Sequence, residues 1–190
     1  MYKKIFRRLW DLLSTPAKAW NVIAQETHDN KPYLSDFFYP LVGLASLTAF
    51  INPFIPPDLT FFEMLSEGIQ SAIVVFGSAF LGLIMSTRIL DWAFVRWFDQ
   101  PSDKDKVEVL VAYSSAPVLA ISILTRLISE FFFMKVFFLY IFIVIWEGAT
   151  SFYSIDEKQQ GRFTGMAGCV ILASPWLIEF ILKLLLPGLK

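Results

Sequence analysis

Five long apolar stretches dominate this sequence, and each is long enough to cross a lipid bilayer as an α-helix. A hydrocarbon core about 30 Å thick needs about 20 mostly apolar helical residues. Phe accounts for 20 of the 190 residues and only 17% of the chain is charged, so a soluble fold would lack the polar surface to cover its apolar side chains. The sequence therefore predicts an all-α, polytopic membrane protein with five transmembrane helices in one bundle. The predicted spans cover residues 37–55, 69–90, 107–128, 131–149 and 163–186.

The fourth stretch carries the weakest signal. Lys135 interrupts it, and the uncharged run that follows ends at Glu147. The alternative interpretation is a re-entrant pair formed by the third and fourth stretches, which leaves three true spans.

The Lys and Arg residues of the connections are unevenly distributed, and this asymmetry predicts the orientation. With five spans, 12 of the 16 cations lie on the side of the amino terminus and 4 on the opposite side. Cytoplasmic connections carry the excess of Lys and Arg. We therefore expect the amino terminus to be cytoplasmic and the carboxyl terminus to lie outside.

The segment before the first span has the pattern of an amphipathic helix lying at a membrane surface. At about 100° per residue, its apolar residues occupy one face and its cations the opposite face. We expect Trp10 near the headgroups and the cations against anionic lipid. Thr15 and Pro16 then suit the start of a second helix. The chain thus divides into a cytoplasmic interfacial region, residues 1–35, and a five-span transmembrane domain, residues 36–187. The apolar face consists of Ile5, Phe6, Leu9, Trp10, Leu12 and Leu13, and the membrane-surface cations are Lys3, Lys4, Arg7 and Arg8.

Familiar catalytic and metal-binding signatures are absent from the sequence. It has no Gly-rich phosphate loop, HExxH, CxxC or GxSxG. The single histidine, His28, lies in a polar connector, and the single cysteine, Cys169, lies in an apolar run. We expect no enzymatic activity, no cofactor and no metal, and nothing indicates a nucleic-acid partner.

Ionisable residues at membrane depth are costly and therefore candidates for function. Glu179 and Lys183 are four residues apart on the predicted fifth helix, which places them on one face as an intramembrane ion pair. Arg126 belongs to the outer turn between the third and fourth spans and is expected to be hydrated. The sequence lacks the spaced series of carboxylates and bases that a proton-driven pump would need.

Prolines in the middle of two predicted spans indicate kinks. Pro117 and Pro175 each remove a backbone hydrogen bond, and the freed carbonyl needs a partner in lipid. The neighbouring hydroxyls of Ser114, Ser115 and Ser174 are candidates for that role. Kinked helices pack against partners or flank a cavity.

Two short motifs share one spacing. SDFFYPLVGLASL places Asp36 four residues before Pro40 at the start of the first span, and VAYSSAPVLAI places Tyr113 four residues before Pro117 in the third. With the five-span layout, these motifs resemble those of the YIP (Ypt/Rab-interacting protein) family of small polytopic membrane proteins. The resemblance covers roughly residues 15–186. It implies a cytoplasmic amino-terminal region followed by a five-helix membrane domain.

The chain departs from the eukaryotic members of that family. Tyr39 and Ala112 stand where those members tend to have Gly, and the amino-terminal region is short. Because eukaryotic members use a long polar tail toward Rab GTPases, the resemblance does not extend to Rab binding. The chain is more similar to the compact bacterial members, which implies the bacterial inner (plasma) membrane.

The motif residues are expected to meet near the inner leaflet. Asp36 and Glu147 lie at the inner ends of spans one and four, and Tyr113 lies about 9 Å along span three. We hypothesise that the Tyr113 hydroxyl donates a hydrogen bond to Asp36 and so fixes the first helix against the third. A cation or headgroup site at the Asp36/Glu147 end is a bolder version of this hypothesis.

The leading function from sequence is a non-enzymatic membrane scaffold or adaptor. Its expected partners are membrane lipids and other membrane proteins, or a second copy of the chain through the small residues Gly165 to Gly168. The alternative is a small transporter, channel or lipid-moving protein lined by the kinked third and fifth helices. A packed bundle favours the first function, and a water-accessible cavity that reaches the membrane midplane favours the second.

Overall fold

The computed structural model describes residues 2–26, 31–55, 60–153 and 155–185, so His28 lies outside the described residues. Throughout these ranges the secondary structure is helical. A π-helical turn (Leu34–Phe38) precedes α3, and 3₁₀ segments follow α3 (Asn52–Phe54) and precede α6 (Ser129–Tyr140). The α-helices are α1 (Tyr2–Ser14), α2 (Pro16–Gln25), α3 (Tyr39–Ile51), α4 (Phe61–Phe98), α5 (Lys104–Leu127), α6 (Ile141–Phe152) and α7 (Glu157–Leu185).

Five helical segments are long and apolar enough to cross a membrane, which confirms the predicted fold class. Each predicted span overlaps one of them, and the structure lengthens the second by eight residues at each end. Span one combines the π turn, α3 and the first 3₁₀ segment, and span four combines the second 3₁₀ segment with α6. The five segments are Leu34–Phe54, Phe61–Phe98, Lys104–Leu127, Glu130–Phe152 and Glu157–Leu185.

Helix α4 is much longer than a bilayer is thick. Its 38 residues extend about 57 Å at 1.5 Å per residue, against a hydrocarbon core of about 30 Å. The helix begins with a capping box, in which Thr60 and Glu63 each bond the other's backbone N–H, and it ends at Asp99 in a left-handed conformation (φ 50°). Helix α4 therefore projects out of the bilayer, and Asp91 near its carboxyl end binds the next loop.

Span four is 3₁₀-helical in its first half and α-helical in its second. A 3₁₀-helix rises about 2.0 Å per residue, so residues Ser129–Tyr140 extend about 24 Å and α6 adds about 18 Å. Lys135 lies within the 3₁₀ half. The whole segment is thus long enough to cross the bilayer, which supports five spans rather than a re-entrant pair.

Close helix contacts hold α7 in the bundle. A Cβ atom on Gly82 of α4 would lie 2.8 Å from the ring of Pro175, and one on Gly168 would lie 2.3 Å from the ring of Phe142. Glycine is therefore needed where α7 meets α4 at Pro175 and where α7 meets α6. A Cβ on Gly165, by contrast, would face open space, so the Gly165–Gly168 segment serves internal packing on one side only.

Helices α1 and α2, which we call the collar, are docked on the bundle. Trp20 is fully buried, and its Nε1 donates a hydrogen bond to the main-chain oxygen of Val144 in α6 (2.7 Å). A Cβ on Gly148 would lie 2.7 Å from the Trp20 indole, so this glycine provides the space that the ring occupies. At the other helix of the collar, the hydroxyl of Tyr140 donates to the main-chain oxygen of Leu13 (2.8 Å).

Candidate functional site

The spacing of the first motif has a backbone explanation. Pro40 has no N–H to bond the carbonyl four residues earlier, which belongs to Asp36, and its ring crowds that carbonyl. The backbone forms a π turn at this point, in which the N–H of Tyr39 donates to the carbonyl of Leu34 five residues earlier. The motif thus marks a widened turn that begins span one.

The second motif repeats the arrangement inside α5, where the main-chain carbonyl of Tyr113 loses its helical donor to Pro117. The neighbouring serines do not bond that carbonyl. Ser115 donates to the carbonyl of Ala112 (3.0 Å), and the fully buried hydroxyl of Ser114 has no hydrogen-bond partner within the described residues.

The side chains of Asp36 and Tyr113 line one pocket but do not bond each other in the described part of the chain. Asp36 is exposed and accepts a hydrogen bond from its neighbour Ser35 (3.3 Å). The hypothesised hydrogen bond from Tyr113 is therefore wrong. The Tyr113 ring packs instead against Phe37 of the π turn (centroids 4.9 Å apart) and edge-on against Trp20 (6.0 Å).

Trp20 separates Tyr113 from α6, and Glu147 is not among the residues that line the pocket. The expected meeting of Asp36, Tyr113 and Glu147 is thus replaced by an aromatic junction built around Trp20. Helical periodicity places Trp20 on an apolar face of α2, but it does not distinguish a face that meets lipid from one that meets the bundle. Ring contacts continue from Trp20 through α6 and the following loop to α4 and α7, by way of Phe152, Tyr153, Phe94 and Phe163.

A polar cluster ties the start of span one to α5. Lys31 Nζ lies 2.5 Å from Glu108 Oε2 and 3.1 Å from Asp105 Oδ1, and the Tyr33 hydroxyl donates to Glu108 (2.8 Å). The hydrogen bond to Glu108 raises the pKa of Lys31, and burial together with Glu108 raises the pKa of Tyr33. Sequence reasoning missed this cluster, because its members are about 75 residues apart.

A second missed cluster fixes the α4–α5 loop. Asp91 is 8% exposed and accepts hydrogen bonds from the hydroxyl of Ser102 (2.9 Å) and the N–H of Asp103 (3.1 Å). The side chain of Asp103 in turn caps α5 through the N–H of Lys106 (2.9 Å). The sequence did contain a signal for this cluster, since Asp91 is an acid near the end of an apolar helix and a polar loop follows it.

The amphipathic face of α1 is divided between the bundle and the surroundings. Ile5 and Leu12 are buried, whereas Phe6 and Trp10 remain 60% and 69% exposed. Arg8 turns inward, pairs with Glu26 and lies 5.8 Å from the centre of the Tyr113 ring. The cations Lys3, Lys4 and Arg7 remain exposed.

A cavity of about 300 Å³ lies among α3, α4, α5, α7 and the 3₁₀ half of span four, and one of its ends is opposite the collar. Arg126 and Glu179 line it, and Glu179 forms the i,i+4 ion pair with Lys183 (2.7 Å). Pro175 of α7 also lines the cavity, whereas Pro117 is buried in α5 outside its lining.

No group of three or more potential metal ligands occurs among the described residues. The features that the structure does contain are helix-packing motifs, a docked amphipathic collar and a cavity between spans. Together they define the class: an integral membrane protein built on five apolar helices. A family model described as the Yip1 domain matches residues 10–184, and the chain belongs to this family. Searches of curated proteins and of solved structures gave no match.

Proposed function

We propose that this Yip1-domain protein is a non-enzymatic scaffold or adaptor of the compact bacterial type, located in the inner membrane with its collar at the cytoplasmic face. The proposal rests on one observation, which is that the amphipathic collar is joined to the bundle through the buried Trp20. Because the collar is fixed to span four in this way, a partner or lipid that binds the collar is coupled mechanically to the transmembrane helices.

The exposed part of the collar suits anionic lipid. Phe6 and Trp10 supply an apolar contact, and Lys3, Lys4 and Arg7 supply positive charge. The orientation with an outside carboxyl terminus follows from the distribution of Lys and Arg.

Protein partners or a second copy have exposed surface available on two elements. Trp92 and Trp97 project from the last turns of α4, with 59% and 56% of their surfaces exposed. On α7, Gly165 faces open space and Cys169 is exposed, which permits close approach of another helix.

Site-specific photo-crosslinking in native membranes tests the adaptor proposal. A photoreactive amino acid replaces Val22, which is 52% exposed on α2, or the fully buried Ile23 as a matched control. We expect the Val22 position to capture one membrane protein in stoichiometric amount and the Ile23 position to react only within the chain. Capture of lipid alone at Val22 would contradict the proposal.

The cavity favours a second candidate, a small transporter or lipid-moving protein. Its lining includes Ser78 and Gly82, which lie near the middle of α4. The cavity therefore reaches the membrane midplane, as a transporter requires. Measurement of lipid or solute movement in proteoliposomes tests this candidate, and equal rates in liposomes with and without the protein would exclude it.

A further inference from the structure

The wall of the cavity is mainly apolar and is interrupted by serines of two facing helices. Ser78 and Ser86 lie on α4, and Ser115 and Ser122 lie on α5. Ser78 and Ser115 donate to carbonyls of their own helices. Ser86 is 1% exposed and its hydroxyl has no partner within the described residues, but a helical serine can turn toward the carbonyl four residues earlier. These hydroxyls are therefore compatible with an apolar occupant.

One end of the cavity is charged. The guanidinium of Arg126, in the last turn of α5, forms no ion pair or hydrogen bond within the described ranges; only the main-chain oxygen of Arg126 is engaged, by Asn52 (2.7 Å). The carboxylate of Glu179 also lines the cavity, and Lys183 neutralises it. Because Glu179 is already paired with Lys183, which lies outside the cavity lining, the guanidinium donors of Arg126 are available to bind an anion.

The shape of the cavity suits a chain-like molecule. Along α5 its lining extends from Val111 to Arg126, which is about 22 Å, against about 15 Å for the hydrocarbon of one leaflet. Trp176 lines the cavity and is nevertheless 70% exposed, so one side of the cavity reaches the lipid-facing surface. A lipid chain therefore has a route into the cavity from the bilayer.

We propose that this cavity binds one membrane phospholipid, with an acyl chain between α4, α5 and α7 and the phosphate at Arg126. A phosphate presents several acceptor oxygens to the fork of guanidinium donors. The lipid phosphate in turn supplies a partner to a guanidinium that has none among the described residues, while the acyl chain fills an apolar volume within the range of ordinary ligand pockets. The inference concerns binding and holds whether or not the protein moves lipid or recruits a partner.

Native mass spectrometry of the purified protein tests the inference. The probes are phosphatidylglycerol and a diacylglycerol with the same acyl chains, which lacks only the phosphate headgroup. We expect the protein to retain phosphatidylglycerol about tenfold more than diacylglycerol. Arg126→Gln should abolish this preference. Arg88→Gln is the matched control, because Arg88 is exposed on α4 and outside the cavity, and it should keep the preference.

Variants that leave every charge in place provide an independent test. Ser122→Phe fills the cavity and should lower the retention of both lipids, whereas Leu124→Phe, on the lipid-facing side of the same helix, should not. Ser86→Ala should leave retention unchanged, and a loss there would indicate a polar ligand instead of an acyl chain. Excess glycerol phosphate should fail to displace the lipid, since it lacks a chain.

Three further results would overturn the inference. They are equal retention of the two lipids by the wild-type protein, the same preference in Arg88→Gln and Arg126→Gln, and undiminished binding by a folded Ser122→Phe variant. The scaffold proposal would survive all three, since it depends on the collar.

Discussion

At the scale of single residues, buried aromatic rings and a few charged side chains form the contacts that join distant parts of the chain. Tyr113 is 3% exposed and contacts rings from two other elements, so it stabilises the fold through packing of its ring. Lys31 and Tyr33, in contrast, act through Glu108, which both of them contact at hydrogen-bonding distance. Substitutions at these two kinds of residue should therefore have different signatures.

Removal of the Tyr113 hydroxyl should have little effect on stability. We expect Tyr113→Phe to change the free energy of unfolding by less than about 0.5 kcal/mol, because the hydroxyl bonds no described residue. Tyr113→Ala should cost about 3–5 kcal/mol, as for other large buried aromatic residues. Thermal unfolding in detergent provides the measurement, and a marked loss of stability in Tyr113→Phe would contradict a role limited to packing.

The contacts of Glu108 with Lys31 and Tyr33 should make stability fall in alkali. Folding raises the pKa of Lys31 above 10.5 and that of Tyr33 above 10.0. The stabilisation is therefore complete below pH 10 and is lost as the pH rises through the folded-state values. The midpoint of thermal unfolding of the wild-type protein should decline above pH 10, and it should decline less in a Lys31→Met/Tyr33→Phe double variant. Parallel curves for the two proteins would contradict this assignment.

At the scale of secondary structure elements, the collar illustrates how one amphipathic helix serves two environments. Ile5 and Leu12 are buried against the bundle, whereas Phe6 and Trp10 are exposed and available to contact lipid. Helix α2 contributes Trp20, which occupies the space left by Gly148. The collar is thus held by one large side chain and a small number of hydrogen bonds.

Loss of Trp20 should release the collar. We expect Trp20→Ala to cost about 3–5 kcal/mol and to speed cleavage by trypsin at Lys18, because the buried indole and its hydrogen bond to Val144 are both removed. Gel analysis of timed digests in detergent measures the effect. Trp10→Ala is the control, since Trp10 is exposed and its loss should leave cleavage unchanged. Equal rates for wild type and Trp20→Ala would show that the collar is held by other contacts.

At the scale of the whole molecule, the two ends of the bundle differ in chemistry. The collar end gathers α1, α2, the Asp91 cluster and the Lys31 cluster, and the opposite end contains Asn52, Arg126 and Glu179. This polarity agrees with the excess of Lys and Arg expected on the cytoplasmic side.

Cysteine labelling of intact cells tests the orientation. In a Cys169→Ser background, a membrane-impermeant maleimide should label Glu130→Cys, at the end opposite the collar, in intact cells. It should label Gln159→Cys, at the collar end, only after permeabilisation. Both replaced residues are exposed. The reverse pattern would place the amino terminus outside.

The helices and their approximate limits follow from local patterns in the amino-acid sequence. Apolar runs of about 20 residues specify spans in any bilayer, the period of the first helix specifies its two faces, and Pro40 and Pro117 remove hydrogen bonds that are local to the chain. The spacing of Glu179 and Lys183 likewise placed an ion pair within one helix turn.

The contacts between those helices, in contrast, are visible only in the folded protein. The burial of Trp20 against Val144, the pairing of Lys31 with Glu108 and the cavity beside Arg126 each involve residues far apart in the chain. Periodicity indicates that a face is apolar, but it does not distinguish a face that meets lipid from one that meets another helix, because both environments are equally free of water. That choice depends on the close packing of all the helices together.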